Sequence, residues 1–359
     1  MPAGFTKEDS MFYVGSTPWH GLGTELPNLA TAEQALKAAS LEWTVEEDDT
    51  RVALDRRPQC TGLVRQDTGY LLSVVPRNYH IIQNADAFRF FDEVTMDPGG
   101  PKYAVAGSLY GGKIVWMLAW VGHVVEVVKD DPIESYLLLV NGHDGETGMQ
   151  MFFTPVRVVC QNTLMLAMRA VGTNGVWLAG SHGRELGEQD VLDARRILGI
   201  VRRKMGDHRE FLEKLAREQA TTRDLVGVLS YVYGADGFLR RVGIVTDLLL
   251  NGPGTDKPGV KGTLYGLLNA ITDLEDHYWL EPPASASARE ERLHSVILGE
   301  AAQRKQAAVR WMEMRLNGDE PNGFSDWRRS ENYEHDPFYK LGIGNGYPGA
   351  GSLTPGSKR

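Results

Sequence analysis

Cysteine is scarce in this sequence. The 359 residues contain two cysteines, Cys60 and Cys160, which lie far apart in the chain and do not form a C-x-x-C pair. This scarcity excludes a disulfide-rich extracellular scaffold and a multi-cysteine zinc module. We expect both thiols to be buried as small apolar groups in a protein of a reducing compartment.

Long hydrophobic runs are also missing. The longest apolar stretches, residues 114–121 and 136–140, are much shorter than the roughly 20 residues that a membrane-spanning helix needs. Residues 1–10 lack the basic region followed by an apolar region that marks a signal peptide. The sequence therefore predicts a cytoplasmic protein with no membrane partner.

Motifs for nucleotide binding and nucleophilic catalysis are absent as well. The glycine clusters at 21–23 and 342–346 lack the Lys-Ser/Thr pair of a P-loop and the strand–helix context of a dinucleotide fold. No serine lies in a G-x-S-x-G elbow, and Cys160 has no recognisable histidine partner. We therefore expect a protein that is not an enzyme, needs no cofactor and does not hydrolyse ATP.

Positive charge is in deficit. The chain has 38 Lys and Arg residues against 47 Asp and Glu residues, which gives a net charge of −9. A polyanion cannot be held by the field of such a surface as a whole, so any contact with nucleic acid would need a local basic groove.

Short β-rich runs separated by turn signals fill residues 43–155. The pairs Gly111-Gly112 and Asp144-Gly145 predict hairpins, and hairpins join antiparallel strands. After residue 155 the pattern becomes helical. The sequence therefore predicts an α+β fold, with an antiparallel or mixed sheet and packed helices, followed by a helical C-terminal half.

Several helices carry end signals. Thr31 and Gln34 form a potential capping box. Asn84 is predicted to cap a helix at 85–94, and Asn162 to cap a helix that runs through Met168. Further helices are predicted by their apolar spacing at residues 188–218, 222–233, 263–277 and 288–315.

Composition also suggests how the chain is divided. Residues 1–30 are punctuated by Gly and Pro and are interpreted as an irregular arm, and residues 317–359 as a Gly- and Pro-rich, disordered tail. Between them we predict an α+β core domain at 31–185 and a helical region at 186–316.

The pair His143-Asp144 is the most enzyme-like feature. Such a pair can ligate a divalent metal, as in metal-dependent phosphodiester hydrolases, but further ligands at regular spacing are missing. The pair also lies at a predicted hairpin tip, where Asp144-Gly145 is explained by turn geometry. A turn is the favoured interpretation, and the hydrolase is kept as an alternative.

Features that suit nucleic-acid binding are more numerous. Arg77 and Tyr79 follow directly from a strand, Lys113 begins another, and Arg157 precedes Asn162 at the end of the sheet region. Cations and helix N-termini suit phosphate oxygens, and aromatic faces can stack on bases. These five residues are candidate contacts, with Tyr79 assigned to stacking.

The most basic part of the chain is residues 195–217. It holds eight cations against three carboxylates, a local net charge of +5, and includes Arg195, Arg202 and Arg203. Arg195 and Arg202 are seven residues apart and so share a helix face. This face is either a track for phosphates or a solvated surface that pairs with the acidic run at residues 46–49.

Several motifs resemble a phage- and plasmid-borne family of unknown function, labelled "phage/plasmid-like protein". They are Val64-Arg-Gln-Asp67-Thr-Gly69, Tyr79-x-x-x-Gln83-Asn84, Ala106-Gly107-x-Leu109, Gly112-x-x-x-Trp116, His143-Asp144-Gly145, Pro155-Val-Arg157-Val-Val-Cys160-x-Asn162-Thr-Leu164, Gly262-Thr-Leu-x-Gly266-Leu-x-Asn269-Ala270-x-Thr272 and Asp276-His277. More remotely, the strand–helix core is similar to phage single-strand annealing proteins. That likeness implies ATP-independent binding of single-stranded DNA in a basic groove by a homo-oligomer.

Three alternative functions are therefore considered, in order of preference. The first is a DNA-binding or annealing protein that uses Arg77, Tyr79, Lys113, Arg157, Asn162, Arg195, Arg202 and Arg203. The second is the metal-dependent hydrolase, and the third is a non-catalytic accessory protein of a mobile element that binds another protein through its helical half.

Overall fold

The computed structural model describes residues 10–14, 23–51, 59–95, 102–157, 162–163, 176–179, 183–278, 295–296 and 299–319. Within these ranges the description does not extend to the side chains of 51, 102, 123, 152–157, 162–163, 176–179, 197, 200–207 and 235.

Eleven strands form two sheets within the described ranges. The larger sheet is mixed, in the order β10-β9-β8-β7-β6-β1-β2, with β11 also paired to β9, and the smaller one is antiparallel, in the order β3-β4-β5. The strands are β1 Met11–Val14, β2 Thr24–Leu26, β3 Val45–Asp48, β4 Cys60–Arg65, β5 Leu71–Pro76, β6 Lys102–Leu109, β7 Ile114–Val128, β8 Asp131–Gly142, β9 Met149–Arg157, β10 Asn162–Thr163 and β11 Val176–Ala179.

Both hairpin predictions are confirmed. Gly111 and Gly112 lie in the turn that joins β6 to β7, and Asp144 and Gly145 lie in the turn that joins β8 to β9. Alternate residues of β8 contribute to apolar clusters on opposite faces of the sheet, since Leu137 and Leu139 belong to the main core and Leu138 to a second, smaller cluster.

Six helices of seven or more residues are described. They are α1 Ala32–Ala38, α2 Asn84–Thr95, α3 Glu188–Arg217, α4 Thr222–Asn251, α5 Leu264–His277 and α6 Glu300–Leu316. The predicted capping box is present, because Thr31 accepts from the amide of Gln34 and the side chain of Gln34 accepts from the amide of Thr31. The α+β prediction is confirmed, with the long helices in the C-terminal half.

The irregular arm expected at residues 1–30 is wrong for two segments. Strand β1 pairs with β6 in antiparallel fashion and with β2 in parallel fashion. Short strands such as these show no clear alternation in sequence, and their pairing with the distant β6 is a tertiary effect.

Both asparagines predicted to be helix caps act differently. Asn162 lies in β10, opposite Arg157, so it does not begin a helix, and residues 164–168 are outside the described ranges. Asn84 does stand at the start of α2, but its side chain is buried and bonds elsewhere in the core. The buried face predicted for α2, with Phe88, Phe91 and Val94, is confirmed.

One apolar cluster joins the sheets to the helices. It contains residues from both, among them Phe12, Leu139, Leu229 and Met312. Helix α5 lies at its centre, with every residue from Leu264 to Asp276 buried. The Tyr265 hydroxyl also donates to the carboxylate of Asp131 at the start of β8, 3.0 Å away.

Candidate nucleic-acid interface

Two of the eight predicted residues, Tyr79 and Lys113, contact the turn between β8 and β9. The Tyr79 hydroxyl donates to the carbonyl of Gly142 at 3.2 Å, and the amide of His143 donates to the carbonyl of Lys113 at 2.6 Å. Arg77 lies two residues before Tyr79, at the end of β5. Burial raises the pKa of the Tyr79 hydroxyl, and the charge of Asp144 adds to this effect. The phenol is therefore neutral, and its hydroxyl supports the turn.

Arg77 is paired with an acid. Its guanidinium lies 2.9 Å from the carboxylate of Asp49, and both side chains are exposed. The hydrogen bond from Arg77 is the main reason that the pKa of Asp49 lies below its usual value. Asp49, the last residue of the acidic run at 46–49, therefore pairs with Arg77, which weakens the attraction of this site for phosphate.

Asp144 serves the turn itself. One carboxylate oxygen accepts from the amides of Glu146 and Thr147, and the other accepts from the Thr147 hydroxyl. Gly145 has a positive φ of 80°, which suits glycine in a tight turn. The turn interpretation of His143-Asp144 is thus the one that the contacts support. In the part of the chain that the structure describes, no three His, Cys, Asp or Glu side chains are grouped as a metal ion requires.

The two sheets meet at a buried arginine that sequence reasoning did not select. Arg65 lies 4.3 Å from the centre of the Trp43 ring and donates to both carboxylate oxygens of Asp67 and to the carbonyl of Gly111. Burial alone would raise the pKa of Asp67, but the bonds from Arg65 outweigh it and the pKa is lowered. Gly112 fits against Trp43, since a Cβ there would be 2.8 Å from the ring. Arg65 and Asp67 of the Val64–Gly69 motif therefore form part of the contact between the two sheets.

A second buried contact joins α2 to the same turn. The Asn84 amide donates to the carbonyls of Leu41 and Trp43, and its oxygen lies 3.0 Å from Nε2 of His143. Gln83 bonds both the amide and the carbonyl of Val45. The Tyr79-x-x-x-Gln83-Asn84 motif and His143 therefore hold the small sheet, α2 and the turn together, which explains their presence without a ligand.

Arg157 and Asn162 lie at the other end of the sheet. Arg157 is opposite Ile133 in the register of β8 and β9, whereas Ile114, next to Lys113, is opposite Gly142. Ile133 and Gly142 are nine residues apart on one strand, which corresponds to about 30 Å. Lys113 and Arg157 therefore lie near opposite ends of β8, and a single groove that also joins Arg77 stays a prediction.

Helix α3 carries the remaining candidates. Arg195 donates to the main-chain carbonyl of Glu93 at the end of α2. Further along, Arg209 and Arg217 pair with Glu213, and Lys214 pairs with Glu210. Arg202 and Arg203 lie in the same helix, but their side chains are outside the description. The acids that pair with Arg209, Lys214 and Arg217 thus come from α3 itself.

The excess charge of α3 is confined to one segment. Residues 195–204, here called the cationic segment, contain five cations and no carboxylate, whereas residues 205–217 contain three of each. The segment rises about 15 Å along the helix. Its existence is visible in the sequence, and the structure adds that it belongs to one continuous helix.

None of the helices in the described ranges has the length and apolar character needed to cross a bilayer.

Comparison with known proteins gives one match. A search of curated proteins found no match, and neither did a search of solved structures. Residues 71–309, about two thirds of the chain, match the family described as "Domain of unknown function (DUF932)", and the chain therefore belongs to this family.

Proposed function

We propose that this protein binds single-stranded DNA without ATP and without catalysis, through the cationic segment of α3. The observation that carries the proposal is the presence of five cations and no carboxylate in ten consecutive residues of a chain whose net charge is −9. Phosphate contacts are assigned to Arg195, Arg202 and Arg203, together with Arg196 and Lys204 in the same segment.

The helical setting supports this assignment. Arg196 is exposed, on the side of α3 away from the buried Ala194 and Leu198. Arg203 follows seven residues later and so returns to the same face. Arg195 bonds a neutral carbonyl rather than a carboxylate, so that its charge is not cancelled by this contact.

The proposal does not include Arg77, Tyr79, Lys113 and Arg157 in the main interface. Tyr79 and Lys113 hold the β8–β9 turn through the contacts described above, and Arg77 is paired with Asp49. Arg157 lies about 30 Å from the β8–β9 turn along the sheet. Strand annealing and a homo-oligomer, as in phage or plasmid recombination systems, would bring several cationic segments onto one DNA strand and form part of the same proposal.

Salt dependence tests the binding. Fluorescence anisotropy with a labelled oligonucleotide is expected to show affinity that falls with salt with a log–log slope of about −3.5, because five contacts each contribute about 0.7 on a single strand. Between about 50 and 200 mM salt the affinity should drop by about a hundredfold. Absence of binding at about 50 mM salt would end the proposal.

A matched pair of variants tests the location. Arg202→Gln with Arg203→Gln removes two proposed contacts and should change the slope to about −2. Lys214→Gln with Arg217→Gln removes the same charge from the ion-paired half of α3 and should leave the slope nearly unchanged. Equal effects of the two pairs would place the interface elsewhere, and circular dichroism checks that all variants keep their helix content.

A further inference from the structure

A groove separates α2 from the beginning of α3. Its volume is about 640 Å³, and its floor is apolar, with Phe90 and Val191 buried at the base. Leu192 lines the groove and is 47% exposed, so that an apolar side chain stands beside the apolar floor. The groove therefore offers an apolar contact surface that none of the described residues covers.

The rim of the groove is acidic. Glu93, Glu185 and Glu188 are exposed and have no ion-pair partner among the described residues, while Asp86 is paired with Arg89. Four carboxylates on the rim thus face two guanidiniums, those of Arg89 and Arg195, and the imidazole of His80. An occupant with positive charge would be favoured, and an anion would be repelled.

The start of α3 does not reverse this preference. The positive end of a helix can attract anions, but here Asp190 already accepts from the amide of Gly187. Arg184 in turn binds both carboxylate oxygens of Asp190 at 2.6 Å. The start of α3 thus already carries a carboxylate, which is paired with Arg184.

We infer that this groove is a docking site for a basic amphipathic segment of a partner protein. An apolar side chain of the partner would pack against Leu192 and the floor, and its Lys or Arg residues would lie beside Glu93, Glu185 and Glu188. This is the arrangement by which amphipathic helices bind apolar grooves, with charge on the rim setting the specificity. The inference does not rest on DNA binding, since Leu192, Glu93, Glu185 and Glu188, which carry it, are not assigned to the DNA contact.

Two peptides test the chemistry of the occupant. The first is a fluorescent peptide of about 15 residues, long enough for a short helix, with Leu on one face and Lys on the other. The second has Glu in place of every Lys. The full-length protein is expected to bind the Lys peptide and not the Glu peptide, and equal binding of the two would overturn the inference.

Matched variants test the place. Leu192→Gln should weaken binding of the Lys peptide by about tenfold, because one apolar contact is lost. Glu185→Gln with Glu188→Gln should weaken it by about fivefold, whereas Glu46→Gln with Glu47→Gln makes the same charge change on β3 and should have little effect. If the β3 pair weakens binding as much as the groove pair, or Leu192→Gln changes nothing, the groove is not the site.

Binding of the oligonucleotide by Leu192→Gln is the check against a folding defect. The side chain is exposed on α3, and glutamine is a good helix former, so the variant should fold and bind DNA as the unaltered protein does. If Leu192→Gln no longer binds the Lys peptide but still binds DNA, the result supports the groove as the peptide site. Loss of DNA binding in the cationic-segment variants, with the peptide still bound, would separate the two surfaces.

Discussion

At the residue scale, most of the polar side chains in the motifs have partners within the protein. Asn84 bonds two carbonyls and His143, Asp144 bonds the turn that follows it, and Arg65 bonds Asp67 over the face of Trp43. Buried polar groups are costly unless they are bonded, so these residue types are required at these positions by the fold. Their presence is therefore weak evidence for catalysis.

The role of Asn84 leads to a stability prediction. Asn84→Ala leaves the carbonyls of Leu41 and Trp43 and the imidazole of His143 without this partner, and should lower the free energy of unfolding by about 2–4 kcal/mol. Asn78→Ala is the control, because Asn78 is exposed in the preceding loop and should change the free energy by less than about 0.5 kcal/mol. Urea unfolding measures both, and similar losses would show that Asn84 has no special role.

At the element scale, helix α4 is longer than the helix that the sequence pattern predicts. The sequence pattern predicts a helix that ends near Tyr233, and the observed element runs from Thr222 to Asn251 across a break at Gly234. Gly234 has φ 69° and ψ 176°, a conformation that is essentially restricted to glycine. The run Gly234-Ala-Asp-Gly237 interrupts the apolar spacing at this break, so the sequence pattern does not show that the helix continues.

Two glycines of α4 should respond in opposite ways to alanine. Gly234→Ala is expected to destabilise the protein by about 1–3 kcal/mol, because its backbone conformation is strained for any residue with a Cβ. Gly243→Ala should stabilise it by about 0.5–1 kcal/mol, because Gly243 lies inside the helix and nothing lies within 4 Å of the added Cβ. Thermal and urea unfolding test the signs. A stabilising Gly234→Ala would mean that the two parts of α4 can merge into one straight helix.

At the scale of the whole molecule, the sheets and the helices share a core. The apolar cluster contains residues from β1 through α6, and the Tyr265–Asp131 bond joins α5 to β8 inside it. The boundary between a core domain at 31–185 and a helical region at 186–316 stays a prediction. Shared burial of this extent argues for one cooperative unit.

Cooperativity can be measured directly. Pulsed hydrogen exchange in increasing urea should show β7–β8 and α4–α5 losing protection at the same urea concentration. Tyr265→Phe should lower the free energy of unfolding by about 1–2 kcal/mol and shift both midpoints together, because it removes a buried hydrogen bond that joins them. Separate midpoints would instead support two independent domains.

The sequence by itself determined the α+β class, the helix that Thr31 caps, both hairpin turns and the position of the cationic segment. Each of these depends on local spacing or composition, which the chain carries without reference to its distant parts. The tertiary structure alone decided that Asn84 and Asn162 are not caps, that β1 joins the large sheet, and that Lys113 and Arg157 lie near opposite ends of β8. These outcomes depend on strand register and on the burial of polar groups, which are set by contacts between residues far apart in sequence.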